Sequence, residues 1–290
     1  MLLVVGATGS LGTRITNGLI ERGRPVRVLV RPGSEHGALA GAVAEVAIGN
    51  LKDPPSLERA CRGVQTVITT ASASRRGDDS IENVDLQGNL NLIDAAARAG
   101  VRHLILTSTL GASESSPVSL FRAKAAAEAR LRNSGLTWTV LQPNAFMDVW
   151  FGMLIEMPLF SGQPVSLVGE SRRRHSFVAE QDVAAFALAA VDHSAAMNAT
   201  VLIGGPEALT LRDAVRAYEE AGAPHQPIRS IAPGAPIPGL PEPIWGLAAG
   251  LESFDSPVPM DETARSYGVT LTTAAAFARA RMAAISGATP

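Results

Sequence analysis

The stretch Leu3–Ile15, LVVGATGSLGTRI, decides the fold. An apolar run that begins at Leu2 leads directly into Gly6, Gly9 and Gly12, and an amphipathic segment follows. A buried strand, a glycine turn and a helix in this order predict the start of a βαβ unit. The first glycine permits a tight turn, the second lets the backbone approach a pyrophosphate, and the third lets the helix pack close to the strand. The spacing is G-x-x-G-x-x-G rather than the stricter G-x-G-x-x-G, so a turn that binds no ligand stays the alternative.

Composition excludes several classes of function. The 290 residues are 46% hydrophobic and 18% charged, with a net charge of -2. There is no basic excess to neutralise a phosphate backbone, so nucleic acid is not an expected partner. Cys61 stands alone in the sequence, and the apolar run at the N-terminus is too short for a membrane span or a signal-peptide core. These features predict a cytoplasmic protein with a small-molecule substrate and no membrane partner, and they leave its oligomeric state open.

Apolar strands and amphipathic helices alternate along the first half of the chain. This order predicts an α/β fold, a Rossmann-type doubly wound parallel sheet with helices on both faces. We expect an NAD(P)-binding domain over residues 1–145. A smaller substrate lobe is expected over 146–290, with residues of about 176–204 returning to the first domain. The predicted strands are Leu2–Val5, Pro25–Arg31, Ala44–Asn50, Gln65–Ser72, Arg102–Thr109 and Leu136–Pro143, and the longer predicted helices are Leu11–Arg22, Asn83–Ala99, Phe121–Asn133 and Asn144–Phe160.

The end of the second predicted strand indicates which dinucleotide binds. An acidic residue there would bind a ribose 2′-hydroxyl, whereas arginine accommodates a 2′-phosphate. This chain has Arg31 at that point, with Ser34 nearby as a second donor. A guanidinium suits bidentate contact with a phosphate, so NADP is the predicted cofactor and NAD the second choice. A solvated charge at a strand end is the alternative for Arg31. The predicted pyrophosphate loop consists of Gly6, Ala7, Thr8, Gly9, Ser10, Leu11 and Gly12.

Several stretches together resemble the NmrA-like group of atypical short-chain dehydrogenases/reductases. They are GATGSLG, VRVLVRP, GNLKDPPSL, NVDLQGNLNLIDAAARAGVRHLILTST, KAAAEARLRNSGLTWTVLQPNAFM and GQPVSLVGE, in the expected order. The resemblance implies an extended Rossmann sheet that binds NAD(P)H and a smaller lobe that closes over the nicotinamide. It also implies that Asn50, where the group usually has Asp, and Leu51 border the adenine. Further positions matched to the cofactor are Thr70, Ala71, Ser72, Pro143, Asn144 and Phe146.

The resemblance also identifies candidate catalytic residues. Ser108 and Thr109 match the place of the catalytic Ser/Thr, and Lys124 matches the lysine of enzymatic relatives. The tyrosine expected four residues before that lysine is replaced by Leu120, which puts ordinary alcohol and ketone chemistry in doubt. Phe121–Lys124 is locally similar to the isoflavone and benzylic ether reductases, in which a lysine without that tyrosine acts as acid or base. Lys124 therefore either transfers a proton or positions the nicotinamide ribose, and a surface pair with Glu128 is a third interpretation.

An apolar stripe follows the sixth predicted strand. Core packing is the default explanation for such a stripe, and the sharper interpretation makes Phe146, Met147 and Trp150 candidate substrate contacts. The histidines have no metal-ligand spacing, and no metal is predicted. The predicted function is an NADPH-dependent reductase of a small apolar or aromatic molecule, with the proton handled by Lys124, Ser108 or water. A non-catalytic NAD(P)-binding sensor or assembly protein is the alternative, and the absent tyrosine argues against an epimerase.

Overall fold

A computed structural model describes residues 1–34, 36–73, 78–285 and 287. The chain divides into two compact units, Met1–Pro143 with Val183–Leu202, and Asn144–Asp182 with Ile203–Pro290. The described residues contain nine strands: β1 (Leu2–Val5), β2 (Val26–Val30), β3 (Glu45–Ile48), β4 (Thr66–Thr69), β5 (His103–Thr107), β6 (Thr137–Pro143), β7 (Val165–Val168), β8 (Ala199–Ile203) and β9 (Ile228–Ile231).

The first unit is built on a seven-stranded sheet with the order β3-β2-β1-β4-β5-β6-β8. The pairings from β3 through β6 are all parallel, with β1 between β2 and β4. All four residues of β1 are buried, as expected for a strand with helices on both faces. Its helices are α1 (Ser10–Glu21), α2 (Gly37–Ala40), α3 (Pro54–Cys61), α4 (Gln87–Arg98), α5 (Ser119–Arg132) and most of α8 (Glu180–Ala190). The predicted α/β sheet is confirmed.

The predicted long helix from Asn83 differs from the structure. A π-helical turn, Ile81–Leu86, precedes α4 and places Asp85 fully inside the protein. The Asn89 amide donates to the carbonyl oxygens of Val84 and Asp85 at 3.2 and 3.0 Å, which supplies partners for this widened turn. Periodicity alone does not reveal such a turn, because its side chains keep the polarity of an ordinary helix.

The second unit has its own core and a small parallel sheet of β7 and β9. The strand at Ile228–Ile231 was not predicted, since it lies in a proline- and glycine-rich stretch. The predicted helix from Asn144 begins only at Met147, because the Met147 amide donates to Val178 O at 2.8 Å. A π-helical turn, Gly152–Glu156, then interrupts that helix. The helices of this unit are α6 (Met147–Phe151), α7 (Met157–Phe160), α9 (Leu211–Glu220), α10 (Glu242–Leu251), α11 (Asp261–Tyr267) and α12 (Ala274–Ile285).

A polar cluster of Glu156, Tyr218 and Arg281 connects α12 to the rest of the second unit. The Glu156 carboxylate accepts two hydrogen bonds from the Arg281 guanidinium, at 2.7 and 2.6 Å, and a third from the Tyr218 hydroxyl. Glu156 and Tyr218 are both buried. The ion pair therefore links the last helix to the π-helical turn through a group that water does not reach.

Candidate functional site

The loop between β1 and α1 requires glycine at two of its positions. Gly6 has a φ of +86°, and a Cβ there would lie 2.7 Å from Thr70 Oγ1. A Cβ on Gly12 would lie 2.1 Å from the Gly6 carbonyl oxygen. Gly9 starts α1 in extended backbone, with φ -81° and ψ 164°, and its Cβ would stand 3.3 Å from that same oxygen. Gly6 and Gly12 therefore build the turn, while Gly9 leaves the approach to the helix unobstructed.

The first turn of α1 contains backbone N–H groups and no acidic side chain that would neutralise the positive end of the helix dipole. No side chain caps this helix, and its first turn contains no acidic residue. The N–H groups of Leu11 and Gly12 lie where an α-helix offers no intrahelical acceptor, and the helix dipole adds positive potential there. Ala7 is fully buried and does not line the cavity described below, so its contact with a cofactor stays a prediction. This end of the helix fits a pyrophosphate.

A cavity of about 300 Å³ lies beside the loop, within the first unit. Its wall combines apolar side chains with polar side chains and backbone, as small-molecule sites do. Ser34 is absent from the lining, and its N–H donates to Arg31 O at 3.1 Å. The lining consists of Val5, Gly6, Thr8, Gly9, Leu29, Arg31, Gly49, Asn50, Leu51, Thr70, Ala71, Ser72, Asp79 and Val84.

The predicted adenine-bordering pair is held rigidly in this wall. The Asn50 N–H donates to Ser56 Oγ at 3.0 Å, and the Asn91 amide donates to Leu51 O at 2.9 Å. A Cβ added to Gly88 would meet the Leu51 side chain at 2.9 Å, so α4 packs tightly behind it. A fixed apolar wall, a glycine loop and a cation in one cavity fit the adenosine and phosphates of a dinucleotide.

Arg31 is already paired at the edge of this cavity. Its guanidinium lies 2.6 Å from Asp79 Oδ2, and the Lys52 ammonium lies 3.4 Å from Asp79 Oδ1. Lys52 also bonds the exposed Asp78 at 2.5 Å, and this hydrogen bond raises the pKa of Lys52. The Asp79 side chain is 5% exposed, compared with 37% for Arg31. Arg31 is therefore not simply a solvated strand-end charge, since it faces a buried carboxylate.

Lys124 belongs to a buried ion pair that adjoins the cavity. Its ammonium lies 3.2 Å from Asp85 Oδ1, and the two side chains are 7% and 1% exposed. Asp85 also accepts from Ser72 Oγ at 2.6 Å and from the Ala73 N–H at 2.9 Å. Longer contacts join the ammonium to Ala71 O at 3.4 Å and Thr107 O at 3.5 Å. The interpretation of Lys124 and Glu128 as a surface pair is wrong, because both are buried and Lys124 pairs with Asp85.

Glu128 is the partner of Ser108 instead. The Ser108 hydroxyl donates to Glu128 Oε1, which also accepts from Gln142 Nε2 at 2.8 Å. The other carboxylate oxygen accepts from Arg132 at 2.8 Å. The Ser108 hydrogen is therefore directed at a carboxylate, which leaves its oxygen as an acceptor. The neighbouring Thr109 hydroxyl donates a long hydrogen bond of 3.4 Å to Leu110 O.

A family model described as NAD(P)H-binding matches residues 6–194. The chain belongs to this NAD(P)H-binding family. The predicted kinship with the NmrA-like group of atypical short-chain dehydrogenases/reductases is confirmed, while likeness to the isoflavone reductase branch stays a prediction. The match begins at the glycine loop, so the motif that opened the sequence lies within the family's domain.

Two relatives and one solved structure illustrate the range of the NAD(P)H-binding family. The chain is 33% identical over 207 residues to photosystem II assembly factor Ycf39 of Synechocystis sp., covering 71% of this chain and 63% of the relative. It is 29% identical over 232 residues to an NAD(P)H azoreductase of Xenophilus azovorans, covering 80% and 77%. The crystal structure of an NADPH-dependent quinone oxidoreductase from Escherichia coli, complexed with NADPH, has a TM-score of 0.81 at 21% identity and covers 97% of this chain and 100% of the other. This structural likeness shows the fold.

This family member departs from the tyrosine-lysine pattern of ordinary short-chain reductases. Leu120 lies in the first turn of α5, four residues before Lys124. Both tyrosines of the chain, Tyr218 and Tyr267, belong to the second unit, and burial raises the pKa of both phenols. Tyr218 is further committed to Glu156. The first unit therefore offers a buried lysine and a serine where a tyrosine acid normally stands.

The remaining predicted residues belong largely to the second unit. Pro143 ends the first unit, and its carbonyl accepts from the Leu110 N–H at 2.9 Å. The Asn144 amide donates to Ser256 O at 2.7 Å, so this side chain is engaged within its own unit. Phe146 precedes α6, Met147 is fully buried, and Trp150 is partly buried against the core of that unit. Their contacts with cofactor and substrate stay predictions.

Sequence reasoning missed three charged residues near the cavity. Asp79, Asp85 and Lys52 were not singled out, and the polar residues that surround Asp85 in the sequence give no local signal of its burial. Among the described residues, no group of three or more His, Cys, Asp or Glu is arranged to hold a metal ion. No helix in the described ranges is long and apolar enough to span a bilayer.

Proposed function

We propose that this protein is an NADPH-dependent reductase of a small apolar or aromatic molecule. The buried Asp85–Lys124 pair beside the glycine-loop cavity carries the proposal, because it holds a positively charged proton donor where the tyrosine of other reductases is missing. The kinship with an NAD(P)H azoreductase supports reduction as the chemistry. NADP is proposed over NAD because Arg31 lines the cavity as a phosphate-binding cation.

The contacts of each residue indicate whether it binds the cofactor or holds a proton. The α1 N-terminus and the glycine loop bind the pyrophosphate, and Asn50 and Leu51 border the adenine. The bound nicotinamide supplies a hydride. Lys124 holds a proton at Nζ, and Asp85 keeps that ammonium in place by an ion pair at 3.2 Å. Ser108 serves as a hydrogen-bond acceptor, since its own hydrogen goes to Glu128.

Turnover and cofactor affinity must be measured separately to test these roles. The protein with NADPH and a panel of quinones, azo dyes and aromatic ketones should consume NADPH, followed at the nicotinamide absorbance. Lys124→Met at saturating NADPH should lower the turnover rate at least about 100-fold, the usual contribution of a positioned acid. Lys124→Arg should restore NADPH affinity without restoring turnover. A Lys124→Met protein with normal turnover at saturating NADPH would eliminate the proton role and leave positioning of the cofactor.

A second candidate is a cofactor-binding protein that catalyses no reaction. The 33% identity to an assembly factor and the leucine at position 120 favour it. The two candidates differ in one experiment. Tight NADPH binding with no turnover across the panel, together with capture of one specific protein partner, supports the second. Turnover that depends on Lys124 supports the first.

A further inference from the structure

The cation predicted to bind the 2′-phosphate is neutralised by a residue of its own cavity. Asp79 Oδ2 lies 2.6 Å from Arg31 Nη1, and both residues line the same wall. In most dinucleotide sites an acidic residue at the end of the second strand binds the ribose 2′-hydroxyl. Here an arginine, Arg31, directly follows the second strand, and the carboxylate of Asp79 comes from the chain segment after β4. The cavity thus contains both kinds of recognition group.

The two oxygens of Asp79 have different partners. One binds Arg31 at 2.6 Å, while the other lies 3.4 Å from Lys52. A phosphate that takes over the guanidinium displaces the contact between Asp79 and Arg31, and Lys52 continues to neutralise the carboxylate. A cofactor with a free 2′-hydroxyl requires no displacement, since a hydroxyl can donate to the carboxylate in place. The cluster therefore offers a site to either cofactor.

We propose that Asp79 is a specificity-determining residue that opposes Arg31. Its carboxylate competes with the 2′-phosphate for the guanidinium, which lowers the affinity for NADPH, and it accepts a hydrogen bond from the 2′-hydroxyl of NADH. Lys52 limits this competition by binding the carboxylate from the other side. The inference rests on the proposed cofactor role of the cavity and adds that the ratio of NADPH to NADH affinity is set by Asp79.

The test is equilibrium binding of NADPH and of NADH to the full chain, followed by nicotinamide fluorescence. Asp79→Asn removes the charge and keeps the shape. It should raise the NADPH-to-NADH affinity ratio at least about tenfold, because a charge contact near a protein surface is stronger than the same contact in bulk water. Asp78→Asn is the matched control, because Asp78 is the adjacent residue, also binds Lys52 and does not line the cavity. It should change the ratio less than about twofold, as expected for an exposed pair.

A second variant moves the ratio in the opposite direction. Lys52→Met removes the cation that binds the second carboxylate oxygen of Asp79, so Asp79 should hold Arg31 more strongly and the NADPH-to-NADH affinity ratio should fall. Three results would overturn the proposal: a lower ratio in Asp79→Asn, an equal change for both cofactors, or the same shift in Asp78→Asn. Wild-type protein that binds neither cofactor would instead defeat the proposed function itself. Normal binding with an unmoved ratio in both variants defeats only the role of Asp79.

Discussion

Neutralising Asp85 should destabilise the first unit strongly. Asp85→Asn removes the anion beside the Lys124 ammonium, whose other hydrogen bonds among the described residues go to the carbonyls of Ala71 and Thr107, at 3.4 and 3.5 Å. Two unit charges 3.2 Å apart interact by about 5 kcal/mol at an effective dielectric constant of 20. Removing one partner of a buried pair costs about 3–5 kcal/mol, because the other charge stays buried. In the wild-type protein, Ser72 Oγ and the Ala73 N–H both donate to the Asp85 carboxylate. The asparagine amide group of the variant would point an N–H donor at one of these two donors.

The measurement needs a signal from the first unit alone. The chain has three tryptophans, of which Trp138 lies in the first unit and Trp150 and Trp245 in the second. Replacing the latter two by phenylalanine makes the fluorescence of Trp138 report denaturant unfolding of the first unit. In that background we expect Asp85→Asn to lower the free energy of unfolding by about 3–5 kcal/mol with an unchanged m-value.

A double-mutant cycle separates the ion pair from other effects of the substitution. Lys124→Met combined with Asp85→Asn should cost less than the sum of the single variants, with a coupling energy on the order of 2 kcal/mol. Glu58→Gln provides the control, because Glu58 pairs with Arg98 at 2.9 Å but both side chains are about half exposed. That variant should cost less than about 1 kcal/mol. An Asp85→Asn cost as small as this control, or strictly additive single costs, would refute the account of the buried pair.

Three further outcomes follow from packing and protonation. Gly12→Ala places a Cβ 2.1 Å from a backbone oxygen, so it should lower the melting temperature and abolish NADPH binding in a titration. Gly18→Ala in the same helix is the control, because its Cβ meets the side chain of Leu188, and it should bind NADPH normally. Burial lowers the pKa of His103 to about 4, so the unfolded state binds more protons between about pH 6.5 and pH 4, and the unfolding free energy should fall by up to about 3 kcal/mol as pH drops through that window. His103→Gln should flatten this acid limb, and an unchanged limb in that variant would contradict the assignment to His103. Glu156→Gln leaves the Tyr218 phenol and the Arg281 guanidinium without their anion, so the free energy of unfolding of the second unit should fall by on the order of 2 kcal/mol. Tryptophan fluorescence follows this unfolding, and a change near zero would contradict the described cluster.

The sheet was predictable because its strands are buried on both faces. A run such as Leu2–Val5 has no polar residue to suggest another placement, and the glycines that follow leave few conformations for the turn. The glycine loop could also be located from sequence, because its close contact is local: Gly12 packs against Gly6, six residues before it. Local sequence therefore accounts for this part of the candidate site.

The charged part of the site was not predictable by local rules. Lys124 and Glu128 have the spacing of a helix-surface pair, yet each binds a residue from another element. The sequence places Asp85 on the polar face of a predicted helix, whereas the π-helical turn buries it in the structure. The approach of Asp79 to Arg31 depends on where two segments 48 residues apart meet at the cavity. Such contacts are decided by tertiary packing, which single-sequence periodicity does not contain.

One short segment after β4 supplies the counter-charge for both functional cations of the first unit. Asp79 pairs with Arg31 and Asp85 pairs with Lys124, and the two carboxylates differ in what a ligand can do to them. Asp79 lines the cavity and faces an arginine that is 37% exposed, so an incoming phosphate can take its place. Asp85 is itself 1% exposed and pairs with a lysine that is 7% exposed, while the Ser72 hydroxyl and the Ala73 N–H hold its two oxygens in place. Under the proposed function, the same stretch of chain leaves Arg31 open to exchange with a cofactor phosphate and pairs Lys124 with a buried carboxylate.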